Sequence, residues 1–105
     1  MRFVETSIFT RIIERLLDDD DYRSVQIALM LRPEQGPLIR GGGGLRKVRW
    51  ARPGGGKSGG LRIIYYWSPA EGAFYMLYAY AKNEQGDLTL TQIRALARVV
   101  REEFK

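Results

Sequence analysis

The chain has 105 residues, 45% of them hydrophobic and 28% charged. That is enough for one ordinary core, which hides roughly 60–70% of the surface an unfolded chain exposes without help from metals or crosslinks. It contains no cysteine and no histidine, which excludes disulfides, thiolate chemistry, cysteine zinc sites and every imidazole-based triad or metal centre. The formal charge of +5 is local: residues 1–44 carry a net −1, residues 83–105 carry none, and residues 45–82 carry +6, from Arg46, Lys47, Arg49, Arg52, Lys57, Arg62 and Lys82 against Glu71.

Arg2 to Glu5 reads as a short strand, with Phe3 and Val4 favouring extended backbone. Ser7 is placed to cap a helix, since Ile8, Phe9, Ile12, Ile13, Leu16 and Leu17 follow with helical spacing. The acidic run Asp18 to Asp21 precedes a second periodic stretch, Tyr22, Val25, Ala28 and Leu29, that stops before Pro33. Carboxylates favour a helix start, so the run reads as a cap between two helices; it lacks the spacing and closing glutamate of a calcium loop. Residues 33–44, with glycine at 41 to 44, are expected to be a flexible connection.

Three strands follow. Leu45 to Ala51 alternates so that Val48 and Trp50 face one way and Lys47 and Arg49 the other; Leu61 to Trp67 is β-branched and aromatic; Ala73 to Ala81 is the third. Their connections, 52–60 and 68–72, suit an antiparallel meander. Thr89 to Gln92 is a capping-box pattern opening a last helix with Leu90, Ile93, Leu96, Ala97, Val100 and Phe104 on one face. The expected class is α+β, a small mainly antiparallel sheet with two N-terminal helices and one C-terminal helix, all within one domain over residues 1–105. No apolar stretch of 18 residues occurs and the first residues do not read as a targeting signal, so a cytoplasmic protein with no membrane partner is expected.

Gly54-Gly55-Gly56-Lys57-Ser58 ends like a phosphate-binding loop, but Ala51 stands where the first glycine of that motif belongs, and a strand follows where a helix is needed. Glu71 is the lone carboxylate of the strand block and lies in a turn, which argues against metal-dependent phosphoryl chemistry and predicts no cofactor. Lys47, Arg49, Arg62 and Lys82 can converge on one side of the sheet with Lys57 above them, and tyrosines 65, 66, 75, 78 and 80 in the same strands can stack on bases or pack in the core. RNA offers such a cluster a metal-free reaction. Its 2′-hydroxyl attacks the adjacent phosphorus, the 5′-oxygen leaves, and the protein activates the nucleophile, stabilises charge on phosphate and assists departure. A lysine crowded by cations can serve as base, and a permanently charged arginine suits the phosphate.

The segments LRKVRWARPGGGKSGGLRIIYYW and YMLYAYAKNEQGDLT, followed by an amphipathic helix, resemble the HigB branch of the RelE superfamily of toxin–antitoxin toxins, most specifically at KSGGLRIIYYW and YAKNE. The resemblance implies a ribosome-dependent endoribonuclease that cuts translated mRNA in the A site. It also implies a cognate antitoxin with a helix-turn-helix domain, through which alone DNA would be reached. It assigns Arg62 to transition-state stabilisation, Lys47 or Lys57 to proton transfer and phosphate binding, and Arg49 and Lys82 to charge neutralisation. Arg46, Arg52, Tyr65 and Tyr80 join the expected RNA- or ribosome-binding set. Founding members carry a second arginine after the last-strand lysine and a tyrosine near the C-terminus; here Asn83 follows Lys82 and no tyrosine follows Tyr80. The general base therefore stays open, with Tyr80 or Tyr65 as candidates. A ParE-like gyrase inhibitor on the same scaffold and a non-catalytic RNA- or ribosome-binding module are the alternatives.

Overall fold

The computed structural model describes residues 1–51 and 60–103. The elements are β1 (Arg2–Glu5), α1 (Ser7–Leu16), α2 (Asp19–Leu31), β2 (Leu45–Trp50), β3 (Leu61–Ser68), β4 (Ala73–Ala81) and α3 (Leu90–Glu103). The strands form one sheet in the order β1-β4-β3-β2. The α+β class and the β2–β3–β4 antiparallel meander are as the sequence predicts. What the local pattern does not specify is where β1 goes: it lies parallel to β4, with Phe3 stacked on Phe74 at 4.7 Å between centroids.

Helices cover both faces of the sheet. α1 and α2 bring Phe9, Ile13, Val25 and Leu29 against Ile63, Tyr65, Phe74 and Met76, and α3 brings Ala97 and Val100 against Leu45, Ile64, Tyr75 and Leu77. Each large apolar side chain so buried contributes about 1.5–3 kcal/mol, which explains why β3 and β4 are apolar on both faces rather than alternating.

The helix starts obey capping chemistry, with one correction. Thr6, not Ser7, caps α1: it is extended (φ −72°, ψ 156°) and its hydroxyl accepts the Phe9 N–H, while Ser7 is already helical. Asp18 caps α2 by accepting the Asp21 N–H at 2.8 Å, with Asp19 to Asp21 in the first turn. Thr89 and Gln92 form the expected reciprocal capping box. The connection 33–44 is more fastened than its glycines suggest. Ile39 donates to the Leu45 carbonyl at 2.8 Å, Lys47 donates to Pro37, and Leu38 bridges Arg46. Gly44 turns there at φ +108°, where a Cβ would stand 2.8 Å from the Tyr66 ring.

One irregularity matters for the site. Along β3 and β4, Ile64 pairs with Tyr78 and Tyr65 with Met76, so Leu77 is an extra residue in β4. Such a bulge reverses the side-chain phase. Phe74 and Met76 face α1 and α2 before it; Leu77, Tyr78 and Tyr80 face α3 after it. Thr6 secures the bulge, donating its hydroxyl to the Leu77 carbonyl at 3.1 Å and its N–H to the Met76 carbonyl at 3.1 Å.

Candidate functional site

The register assembles a row of side chains across three strands. Arg49 of β2 pairs with Arg62 of β3, and Arg62 pairs with Tyr80 of β4. The next row on the same face is Lys47, Ile64 and Tyr78. Neighbouring strands are about 4.8 Å apart, so each row spans roughly 10 Å. Like charges directly opposite each other destabilise a sheet. The Arg49–Arg62 pairing therefore works against folding and favours whatever anion lies over it.

Arg62 is 7% exposed, which corrects the expectation that it projects from an open polar face. Its guanidinium donates to the Leu61 carbonyl at 3.2 Å, and its register partners are Arg49 of β2 and Tyr80 of β4. Arg49 is exposed. Lys82 follows Tyr80 by two residues; its ammonium donates to the Gly86 carbonyl at 2.5 Å and its N–H to the Gly60 carbonyl at 3.0 Å. Lys47, Arg49, Arg62 and Tyr80 are thus brought together, with Lys82 at their margin.

Two expected contact residues are placed elsewhere. Arg46 lies on the opposite face of β2, with Val48 and Trp50, and clamps the 33–44 connection through the carbonyls of Glu34 and Gly36 at 3.1 and 2.9 Å. Tyr65 is a core residue, fully buried, donating to the Pro33 carbonyl at 2.8 Å and accepting the Gly36 N–H at 3.1 Å. It can neither stack on a base nor act as the general base from there. Lys57 and Arg52, with the whole Gly54 to Ser58 segment, lie outside the described residues, as does Phe104.

The residue that sequence reasoning missed is Asp87. Its Oδ1 accepts the Leu88 N–H at 2.8 Å and the Lys47 ammonium at 3.1 Å, with the Tyr80 hydroxyl at 3.4 Å. The Leu88 N–H and Lys47 hold its carboxyl below the usual aspartate range, so it is ionised at neutral pH. Burial first, then the Asp87 carboxylate, push the Tyr80 phenol up to about 12, with Arg62 acting in the opposite direction. Tyr80 is therefore protonated near pH 7 and suited to donate a hydrogen bond or proton, not to take one. Beside this group a cleft of about 350 Å³ opens, lined by Leu38, Ile39, Arg40, Lys47, Asp87 and Ile93 among others. No group of three or more carboxylates placed to hold a metal ion occurs among the described residues.

Residues 1–104 match the family model described as the RelE toxin of the RelE/RelB toxin–antitoxin system. The chain belongs to the RelE toxin family. The match is to RelE toxins broadly and does not separate the HigB branch from the rest. In this RelE toxin the charged row sits on the α3 face of the sheet, with Tyr80 in the same buried cluster as Ala97 and Val100 of α3. None of its described helices is long and apolar enough to cross a membrane.

Proposed function

We propose that this chain is a toxin of the HigB branch that cuts ribosome-bound mRNA in the A site, acting as one domain over residues 1–105. The observation that carries the reading is the Arg49–Arg62–Tyr80 row with Lys47 beside it. Three cations and one protonated phenol on one sheet face suit a phosphodiester and need no metal-ligand cluster. In the proposed step the 2′-hydroxyl gives its proton to Lys57 in its neutral form as its oxygen bonds to phosphorus, while Lys47, held as an ammonium by Asp87 at 3.1 Å, binds the phosphate. The bond from phosphorus to the 5′-oxygen breaks, and that oxygen takes a proton from Tyr80, leaving a 2′,3′-cyclic phosphate. Arg62 stabilises the charge that develops on the phosphate oxygens; Arg49, Arg52 and Lys82 neutralise the flanking backbone. The proposed partners are the ribosome with its mRNA and a cognate antitoxin of the helix-turn-helix kind, in the cytoplasm.

The test is primer-extension mapping of cuts on a translated message, with EDTA-treated enzyme and end-group analysis for the cyclic phosphate. Arg62→Ala is expected to lower cleavage by about 100-fold or more, the usual cost of losing one transition-state donor. Because Arg62 is buried, its variants are compared by circular dichroism first, and Arg62→Lys, which keeps the charge, serves as the milder form. Wild-type cleavage rates in a folded Arg62→Ala protein would sink the assignment. Ribosome affinity is expected to fall steeply with salt as phosphate contacts are lost; an affinity flat from low to moderate salt would point to an apolar protein target instead.

A further inference from the structure

The loop that follows β4 sets a carboxylate among these cations. Asp87 Oδ1 contacts the Lys47 ammonium at 3.1 Å and lies 3.4 Å from the Tyr80 hydroxyl. Lys47 belongs to β2 and Tyr80 to β4, the two strands that flank β3. Their backbones are about 10 Å apart, and one oxygen bridges them across the strand that carries Arg62.

The loop is itself anchored. The Lys82 ammonium holds the Gly86 carbonyl at 2.5 Å, the Gln85 amide donates to the Asp87 carbonyl at 2.9 Å, and the same amide donates to Gln92 Oε1 at 2.6 Å, within the capping box of α3. Asp87 also accepts the N–H of its neighbour Leu88. The carboxylate thus has a fixed place rather than a free tether.

A face that served only to attract a polyanion would gain nothing from a negative charge at its centre. We propose that Asp87 is a positioning residue of this site, fixing the Lys47 ammonium and the Tyr80 hydroxyl relative to each other and to Arg62 before RNA arrives. The inference rests on the endonuclease reading above. A lysine on a sheet face has four rotatable bonds, and most of its rotamers would point the ammonium away from the scissile phosphate. Tying it to Asp87 settles that orientation in advance, and sub-ångström placement is where turnover is most sensitive. The cost is one unit of repulsion toward the RNA backbone.

That opposition separates positioning from mere support of the fold. Asp87→Asn keeps the size and the amide oxygen that accepts the Leu88 N–H, and removes the charge. In single-turnover cleavage of a message on programmed ribosomes, the rate at saturating enzyme is expected to fall on the order of 10–100-fold. The enzyme concentration at half saturation is expected to stay level or drop. Asp87→Glu is expected to recover part of the rate. Independently of activity, the two Hε protons on ¹³C-labelled Lys47 Cε are expected to be inequivalent in the wild type and to collapse toward the free-lysine pattern in the Asn variant.

An Asn variant with wild-type saturating rate and unchanged Lys47 signals overturns the inference while leaving the endonuclease reading intact, provided Arg62→Ala is inactive in the same assay. Equal losses of binding and rate, together with a lowered melting temperature, overturn it in favour of a structural role. A wild-type protein that cuts no translated message overturns both.

Discussion

Thr6 links the start of a helix to the geometry of the charged face, and its replacement tests that link. The hydroxyl accepts the Phe9 N–H at 3.0 Å and donates to the Leu77 carbonyl, the carbonyl of the extra residue in β4, at 3.1 Å. Thr6→Ala removes both. Loss of an N-cap costs about 1 kcal/mol, and leaving a half-buried carbonyl without its donor costs about 1 kcal/mol more. The expected destabilisation is about 2 kcal/mol, or roughly 10 °C in Tm for a chain of this size. Thr6→Ser retains both interactions and is expected to stay within about 0.5 kcal/mol of the wild type. Urea unfolding followed by circular dichroism measures the difference, with an unchanged m-value showing that the unfolding transition is the same. An Ala variant within about 0.5 kcal/mol of the wild type would refute the reasoning, as would a Ser variant as unstable as Ala. The bulge directs Tyr78 and Tyr80 toward α3, so the Ala variant is also expected to lose more cleavage activity than its folded fraction accounts for.

Gly60 precedes β3 at φ +70°, and a Cβ there would lie 2.3 Å from the Trp50 carbonyl oxygen, which is backbone and cannot swing away. Gly60→Ala is expected to cost about 2 kcal/mol or more. Gly72→Ala, at φ +61° with nothing within 4 Å of its Cβ, is expected to cost only the backbone term of about 1 kcal/mol. Equal melting temperatures for the two variants would remove the steric argument. A pH prediction follows from Tyr80. Its folded-state pKa, pushed up to about 12, lies above the ordinary tyrosine value of about 10, so folding favours the protonated phenol. Its contribution is complete below pH ~10 and is lost as pH rises through its folded value. Tyr22, Tyr65 and Tyr75 are raised as well and share the direction, so Tyr80→Phe is expected to make the alkaline fall in urea midpoint shallower without abolishing it. An identical fall in both proteins would contradict the placement of Tyr80 beside Asp87.

What the sequence made legible follows from what period and capping can encode. Alternation in LRKVRW separates Lys47 and Arg49 from Val48 and Trp50, and the structure keeps that division because β2 has one charged side at that end. In LRIIYYW the same rule is silent. Helices cover both faces of β3, so both carry apolar residues, and nothing local says that Tyr65 enters the core while Tyr66 faces α3. Tyr80 depended on a bulge secured by Thr6, 71 residues away from the Leu77 carbonyl it binds, a long-range condition that no local window contains.

Asp87 escaped for a related reason. Within the strand block Glu71 is the lone carboxylate, while the carboxylate that reaches the site comes from the loop after it, 40 residues from Lys47. A usable signal was present in the short spacing between Lys82, where β4 has ended, and the capping box at Thr89. So short a loop must stay close to the end of β4 to start α3, which brings Asp87 beside Tyr80 and Lys47, while Glu84 in the same loop turns to Arg15 of α1. Charge counted along the chain gives a field over residues 45–82 and does not separate Lys47, Arg49 and Arg62 from Arg46 on the opposite face of β2. The pairing register turns that field into a row, and the loop sets the Asp87 carboxylate against Tyr80 within the row and Lys47 beside it.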